Sequence, residues 1–447
     1  MSGNLFGNAY QVMTFGESHG KYIGLVIDGL KPGLEISLDE IQQELNRRRP
    51  GQSSVTTPRQ EKDRIEVVSG ILEGKTTGTP ICMLIANEDQ RPGDYEKLKN
   101  ILRPGHASYT FLKKYGIFDF RGGGRASGRE TATRVAAGAL AKQLLKQREI
   151  KIFAYTRAIG GIEISEVDPS FIEKNPLRTA DPEAAGKMLA AIESAKNEGD
   201  SLGGIIEVVV QNCPPGLGEP VFHKLEADLA AALMSIGAVK GFEIGSGFKA
   251  AQMKGSEQND PFYYDRINQR FRTKTNNAGG TLGGISNGED LVMRIAVKPP
   301  SSIAKKMETV DRDGHPVVFG TEGRHDPCIC PRIVPVAEAM VALVLLDHLL
   351  LQDRISKENN LDELRRKMDT IDQQILLLLA QRFDYIGKIA EEKKRMGLDV
   401  SDHNREKTVK KNWTASAKTL DLDPEMSKNL VDLILKHSKK KQQEVLQ

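Results

Sequence analysis

The chain has 447 residues, more than one hydrophobic core usually serves, so at least two domains are expected. Its 63 Lys and Arg nearly balance its 60 Asp and Glu, and the net charge of +3 excludes any general attraction to nucleic acid or membrane. Four cysteines (Cys82, Cys213, Cys328 and Cys330) are too few and too irregular for a disulfide framework and fit a reducing compartment.

The opening stretch "MSGNLFGNAY" shows neither a basic n-region nor an apolar h-region. The longest apolar run, "AMVALVLL" from Ala339 to Leu346, is far shorter than the roughly 20 residues a membrane helix needs. A soluble, cytoplasmic protein with no nucleic-acid or membrane partner is the expectation.

In chain order, the first chemical signal is "TFGESHG", which sets His19 among small residues that leave an imidazole accessible. Next comes "LNRRRPG", where Arg47, Arg48 and Arg49 cannot all share one ion pair and so suit a ligand with several negative groups. The alternative there is a solvated helix end. "ILRPGHASY" sets Arg103 beside His106, a second histidine in a glycine-containing loop and a second candidate acid or base.

"RGGGRASGRE" (Arg121 to Glu130) combines a turn able to approach a ligand with an S-x-x-E capping box, Ser127 and Glu130, and a helix is expected from Ala132 to Leu145. An anion at that helix start would meet free N–H groups, with Arg125, Arg129 and Arg134 nearby. The bland alternative is a capped helix after a tight turn. Neither a Walker loop nor a dinucleotide fingerprint fits these glycines.

Strand-like runs such as "GGIIEVVVQN" and "DLVMRIAVKPP" alternate with the amphipathic "HKLEADLAAALMSI", giving an α/β or α+β class. A second glycine-rich stretch, "NNAGGTLGGISNG", runs from Asn276 to Gly288. "GRHDPCICPR" brings His325, Asp326, Cys328 and Cys330 together, but without a second ligand pair at zinc-like spacing, so no metal is expected.

The texture changes near "LLQDRISKENN". Beyond it glycine almost disappears, and Leu361, Leu364, Met368, Ile371, Ile375 and Leu378 fall at helical spacing. Asp402 can cap a second helix, and Asp423 before Pro424 marks a third. Residues 1–352 thus form a large domain, 353–360 a linker and 361–447 an all-helical domain.

Eight blocks of the large domain, "GNAYQVMTFGESHG", "RRRPGQ", "RPGHASYTFLKKYG", "RGGGRASGRET", "GLGEPVFHKLEADLAAALMSIGAVKGFEIG", "NNAGGTLGGISNG", "KPPSSI" and "GRHDPCICPR", resemble in order the signature blocks of the chorismate synthases. The resemblance implies an α+β fold of β-α-β sandwich type, a homotetramer, and reduced FMN as cofactor with NADPH as a candidate reductant. The implied reaction is anti-1,4-elimination of phosphate from 5-enolpyruvylshikimate 3-phosphate, giving chorismate.

By that resemblance His19 protonates the departing phosphate, His106 protonates the reduced flavin, and Asp326 takes part in proton removal. Flavin contacts carry over to Arg125, Ala126, Ser127, Gly237, Ala238, Gly283, Lys298, Pro299, Pro300, Ser301, Ser302 and Arg324. Arg48 and Arg49 fall at substrate or nicotinamide-phosphate contacts, and Arg129 and Arg134 are further candidates for the substrate's anionic groups. Three positions depart from the family pattern: Ser54 where a basic residue is frequent, Gly128 for alanine, and Pro300 for threonine.

On an ideal helix Arg382 and Lys393, eleven residues apart, lie nearly aligned and about 16 Å apart. Arg365, 17 residues before Arg382, is about 25 Å away and turned by roughly 100°, so it cannot serve the same small ligand from the same helix. Asp402, Arg405 and Glu406 share one face of the second helix, and Ser438 and Gln442 one face of the third. Surface charges on a dimerising bundle would look the same.

The order "LDELRRKMDTIDQQILLLLAQR", Lys393, "DHNRE", Ser438 and Gln442 resembles the all-helical chorismate mutases, an all-α three-helix fold. It implies intertwined dimers and the Claisen rearrangement of chorismate to prephenate. The carboxylates fall to Arg382 and to Arg365 from a partner chain, and the ether oxygen to Lys393 and Gln442, with Asp402, Arg405, Glu406 and Ser438 completing the substrate set. The resulting expectation is a bifunctional enzyme; the alternative is a chorismate synthase whose helical tail only dimerises or senses product.

Overall fold

The computed structural model describes residues 3–52, 61–89, 98–265, 270–321, 326–356 and 361–446, without side chains at 356, 361–367, 369, 370, 373, 374, 377 and 446. The chain divides into two compact units, Met1–Ile355 and Ser356–Gln447.

Two five-stranded sheets form the large unit. In the first, the order is Leu5–Phe6, Gln11–Gly16, Tyr22–Asp28, Ile81–Ala86, Ile65–Ser69, with every neighbour antiparallel. In the second it is Val239–Ile244, Leu291–Val297, Gly204–Gln211, Lys151–Ile159, Ile162–Glu163, again antiparallel throughout. The runs read as strands from sequence lie in the two central strands of this second sheet.

Between the sheets lies a helical layer. Helix Thr131–Lys146, one residue longer at each end than the sequence predicts, is rich in alanine and buries 13 of its 16 residues, because it touches strands of both sheets. Gly138 is needed where it passes the helix Cys330–Ser356: a Cβ there would sit 2.4 Å from the Cβ of Ala339. The architecture is the expected β-α-β sandwich, with an apolar face on each sheet and helices filling the gap.

Helix Cys330–Ser356 is apolar and long enough by composition to span a membrane, but 94% of its most apolar window is buried within the unit. Its polar residues anchor that position. Asp347 accepts from the backbone N–H groups of Asn8, Ala9 and Tyr10 at 2.9, 2.6 and 2.8 Å, fixing the first sheet's N-terminal segment. Glu338 accepts from the Ala154 N–H at 3.0 Å on the second sheet, pairs with Arg47 at 2.7 Å and also binds Lys142. Burial alone would raise the Glu338 carboxyl, but Arg47 and then Lys142 hold it down at about 2. The helix runs on to Ser356, so the first four residues of the expected linker are helical.

The smaller unit has three helices: Leu361–Met396, Pro424–Leu446 and, between them, His403–Thr419. Asp402 caps the second helix by accepting from the Arg405 N–H at 2.9 Å, and Asp423 caps the third from Met426 N–H at 2.7 Å. The second and third helices are antiparallel, tied by Lys410–Asp432 at 2.6 Å and Lys439–Glu406 at 2.8 Å. On the first helix Met368, Ile371, Ile375 and Leu378 are 49–64% exposed, so these four positions of the stripe read from the sequence are left largely uncovered by the described residues of their own unit.

Candidate functional site

The turn between the first two long strands, Glu17 to Lys21, carries Ser18 and His19. Ser18 Oγ lies 3.1 Å from His19 Nδ1, and His19 is 7% exposed, more enclosed than its small sequence neighbours suggest. Gly122, at φ +76°, makes that enclosure possible. A Cβ there would meet the His19 ring at 2.6 Å and Ser18 Oγ at 2.9 Å. Gly122→Ala is expected to keep the chain folded but lower activity at this site at least about tenfold by displacing the imidazole; equal kcat in the variant and the parent chain would contradict it.

Helix Leu38–Arg48 delivers the arginine triplet, and the structure separates its members. Arg47 turns away to Glu338, Glu173 (2.6 Å) and Glu44 (2.9 Å), and Arg49 is exposed and outside the cavity. Only Arg48 enters, 1% exposed, with Nε on Thr131 Oγ1 at 3.1 Å, a short bond to the Gly128 carbonyl and Asp63 at 3.4 Å. The triplet is therefore not one ligand-binding cluster: two of its side chains have other surroundings.

Arg129 is also buried. It pairs with Asp63 at short range and with Glu61 at 3.6 Å, and donates to Asn87 Oδ1 at 2.8 Å and the Ala86 carbonyl at 3.0 Å. The capping box does not form as expected. Ser127 caps a short 3-10 turn, Gly128–Glu130, by accepting from Arg129 N–H at 3.3 Å. Glu130 instead accepts from Thr14 Oγ1 at 3.1 Å and Arg134 Nε at 3.0 Å, because the intervening 3-10 turn carries its side chain towards the first sheet. A Cβ on Gly128 would meet nothing within 4 Å among the described residues, so the family's alanine fits against them.

These groups border one cavity of about 700 Å³, within the usual range for small-molecule and cofactor sites. Its wall includes His19, His106, Arg48, Arg125–Ser127, Arg129, Arg134, Gly237, Ala238, Lys298–Ser302 and Asp326. Gly283 is not on that wall, and Arg324 lies outside the described residues, as does Ser54.

Two wall residues drew less notice in the sequence. Arg332, in the first turn of the core helix and the last residue of the block "GRHDPCICPR", donates to Asp326 at 2.6 Å, a contact that the block's spacing does not reveal. Arg103, read only as a neighbour of His106, places its guanidinium 2.7 and 3.0 Å from the two His106 ring nitrogens.

The electrostatics share one direction. Desolvation, then Arg103 and Lys298, push His106 down to about 3, so its imidazole is neutral at physiological pH. Burial, then Arg332, lower Arg48 to about 9, with Asp63 opposing. The cavity holds more buried positive charge than its own carboxylates offset, and a multiply charged anion relieves it.

In the tail unit, Arg382 Nη1 donates to Ser438 Oγ at 2.7 Å, joining the first and third helices, and partial burial lowers the guanidinium's pKa. Gln442, one turn beyond Ser438, is 7% exposed, and its Oε1 has no hydrogen-bond partner among the described residues. Lys393 donates to the Asp399 and Val400 carbonyls at 3.0 and 2.7 Å, and Glu406 turns to Lys439. Asp402 and Arg405 are exposed. The side chain of Arg365 lies outside the described residues. Arg382, Ser438 and Gln442 are thus gathered, whereas Lys393 and Glu406 have protein partners of their own.

Fold and site together define an enzyme for small polyanionic substrates, with a second, helical unit. The chorismate synthase sequence model matches residues 10–350, and the chorismate mutase type II model matches residues 364–443. Over 359 residues the chain is 55% identical to the chorismate synthase of Syntrophus aciditrophicus, covering 80% of this chain and all of the relative. It is likewise 55% identical to that of Methanosarcina mazei, covering 78% of this chain and 97% of the relative. A crystal structure of chorismate synthase superimposes with a TM-score of 0.63 at 32% identity, covering 82% of this chain and 98% of that one. The chain belongs to the chorismate synthase family and also carries a chorismate mutase domain: it is a bifunctional shikimate-pathway enzyme.

Proposed function

We propose that the large unit eliminates phosphate from 5-enolpyruvylshikimate 3-phosphate with reduced FMN bound in the 700 Å³ cavity, and that the tail rearranges the resulting chorismate to prephenate. The observation that carries the first half is the shared wall: Arg48, Arg129, Arg134 and Lys298 surround the space that both histidines and Asp326 border. Such a wall suits a substrate with two carboxylates and a phosphate.

The flavin fits the same cavity by the chemistry of its donors. The Arg125–Ser127 turn, the Gly237–Ala238 backbone, with Ala238 at φ +73°, and the Lys298–Ser302 segment would hold it. When bound, reduced flavin supplies electron density to the cleaving C–O bond. The chain's own groups handle protons and charge. His19 donates to the phosphate oxygen as the C–O bond breaks, while Asp326, oriented by Arg332, accepts the ring proton whose loss forms the new double bond. His106, held neutral by burial and then by Arg103 and Lys298, becomes easier to protonate when an anion enters beside it. NADPH is the candidate source of reducing equivalents.

The tail reaction is pericyclic and needs no nucleophile. Arg382 grips a carboxylate, Gln442 and Lys393 donate to the ether oxygen, and Arg365 of a partner chain completes the set. The exposed stripe on the first tail helix supports paired tails, and Met13 and Phe15, 42% and 40% exposed on the outer face of the first sheet, support an oligomeric core, read here as a tetramer. We place the enzyme in the cytoplasm.

Anaerobic incubation with 5-enolpyruvylshikimate 3-phosphate, FMN and a chemical reductant tests the reading: prephenate is the expected product. Accumulated chorismate would instead favour a tail that only dimerises or senses product. Because Gln442 donates without first being protonated, mutase turnover of added chorismate should stay flat from about pH 6 to 8. A steep fall across that range would count against Gln442.

A further inference from the structure

We infer that Asn87 is the positioning residue that locks the acid-bearing turn of His19 to Arg129, so that one amide sets the distance between the proton donor and a substrate arginine. This rests on the roles proposed above for His19 and Arg129. Strand Ile81–Ala86 pairs with Tyr22–Asp28, and its last residue faces Tyr22. One step further the Asn87 N–H donates to the Lys21 carbonyl at 3.2 Å, extending the ladder to the base of the turn.

The Asn87 side chain then reaches across that turn. Its Nδ2 donates to the carbonyls of Glu17 at 3.1 Å and Gly20 at 2.7 Å, the two residues that bracket Ser18 and His19. Its Oδ1 accepts from Arg129 Nε at 2.8 Å. Both amide donors and an acceptor site are therefore used, and only this orientation works, since a flipped amide would set oxygen against two carbonyls and N–H against a guanidinium.

Asn87 is 7% exposed and is not on the cavity wall, so it acts through its neighbours and not on substrate. The turn is also closed by the Gly20 N–H to the Glu17 carbonyl at 3.1 Å, a bond that shapes it without reaching Arg129.

Asn87→Asp keeps an acceptor for Arg129 but loses both donors to the turn. Lyase kcat should fall about 10- to 100-fold, with KM for 5-enolpyruvylshikimate 3-phosphate changed less than about threefold. Mutase turnover by the same chains, which Asn87 does not touch, reports the concentration of chains in the assay, and urea unfolding of the large unit reports its fold. The decisive measurement is a cycle with His19→Ala: if Asn87 works through His19, then Asn87→Asp costs nothing further in the His19→Ala background.

Independent, multiplying losses would overturn the inference, as would wild-type kcat in Asn87→Asp beside a severely impaired His19→Ala. Undiminished kcat in His19→Ala alone would overturn the assignment of the acid and the inference with it. If Asn87→Asp is insoluble, Asn87→Ser, which keeps a single donor, carries the same cycle with a smaller expected loss.

Discussion

Replacing Arg382 by alanine is expected to lower mutase kcat/KM for added chorismate by roughly 10²–10³-fold while leaving phosphate release by the same chains within about twofold. The asymmetry follows from the two compact units and from the place of Arg382. Its guanidinium is half-buried and bonded to Ser438 Oγ, so it is already aimed before any ligand arrives. Removing it takes away a preorganised cation that a substrate dianion would meet in a partly desolvated site, where such contacts outweigh their value in water. Lysine would restore charge but not the paired donors of a guanidinium, so Arg382→Lys should recover only part of the loss. Equal mutase rates in the parent chain and Arg382→Ala would remove the tail from catalysis and leave it a dimerisation or sensing module.

Much of this organisation is legible in the sequence, and the reasons are local. Helical spacing over Leu361–Met396 and the caps at Asp402 and Asp423 depend on neighbours within four residues, which a sequence displays directly. The glycine-containing turns that carry both histidines are readable for the same reason, but the enclosure of His19 is not.

What the sequence hides is decided at long range. Nothing near Arg47 says that its partner is Glu338, 291 positions away, or that Arg48 alone of the triplet is drawn inward by Asp63 and Thr131. Ser127 and Glu130 satisfy the capping pattern, but an intervening 3-10 turn and the nearby Thr14 claim Glu130. Asn87 carries no motif at all, and its role appears only when strand register brings it to the His19 turn. Charged side chains are the least readable from local pattern, because a partner at any separation in the chain can redirect them.

Asp63→Ala should destabilise the chain by about 3–5 kcal/mol and abolish phosphate release, the largest stability effect expected of a single change in the site. The Asp63 carboxylate is wholly buried between Arg48, at 3.4 Å, and Arg129, which it contacts more closely still. Burial alone would raise its pKa; Arg48 first and Arg129 second outweigh that and hold it below the usual carboxylate value. Arg48 shows no matching gain, since burial and then the repulsion of Arg332 lower it to about 9 despite Asp63. Deleting the carboxylate therefore takes away the acid that Arg48 pairs with and leaves Arg129 the more distant Glu61, at 3.6 Å. Asp63→Asn, which still offers an acceptor oxygen, should lose less.

The sign with pH follows from the depressed carboxyl: its stabilisation is complete above the ordinary aspartate pKa of about 4 and is lost as pH falls through the native value. Urea unfolding of the full chain and of Asp63→Asn at neutral pH and below about pH 4 should therefore show two curves that converge as acid is added. A neutral-pH difference between the parent chain and Asp63→Ala below about 1 kcal/mol, or a gap between the parent chain and Asp63→Asn that widens in acid, would mean that Asp63 does not hold these arginines in place.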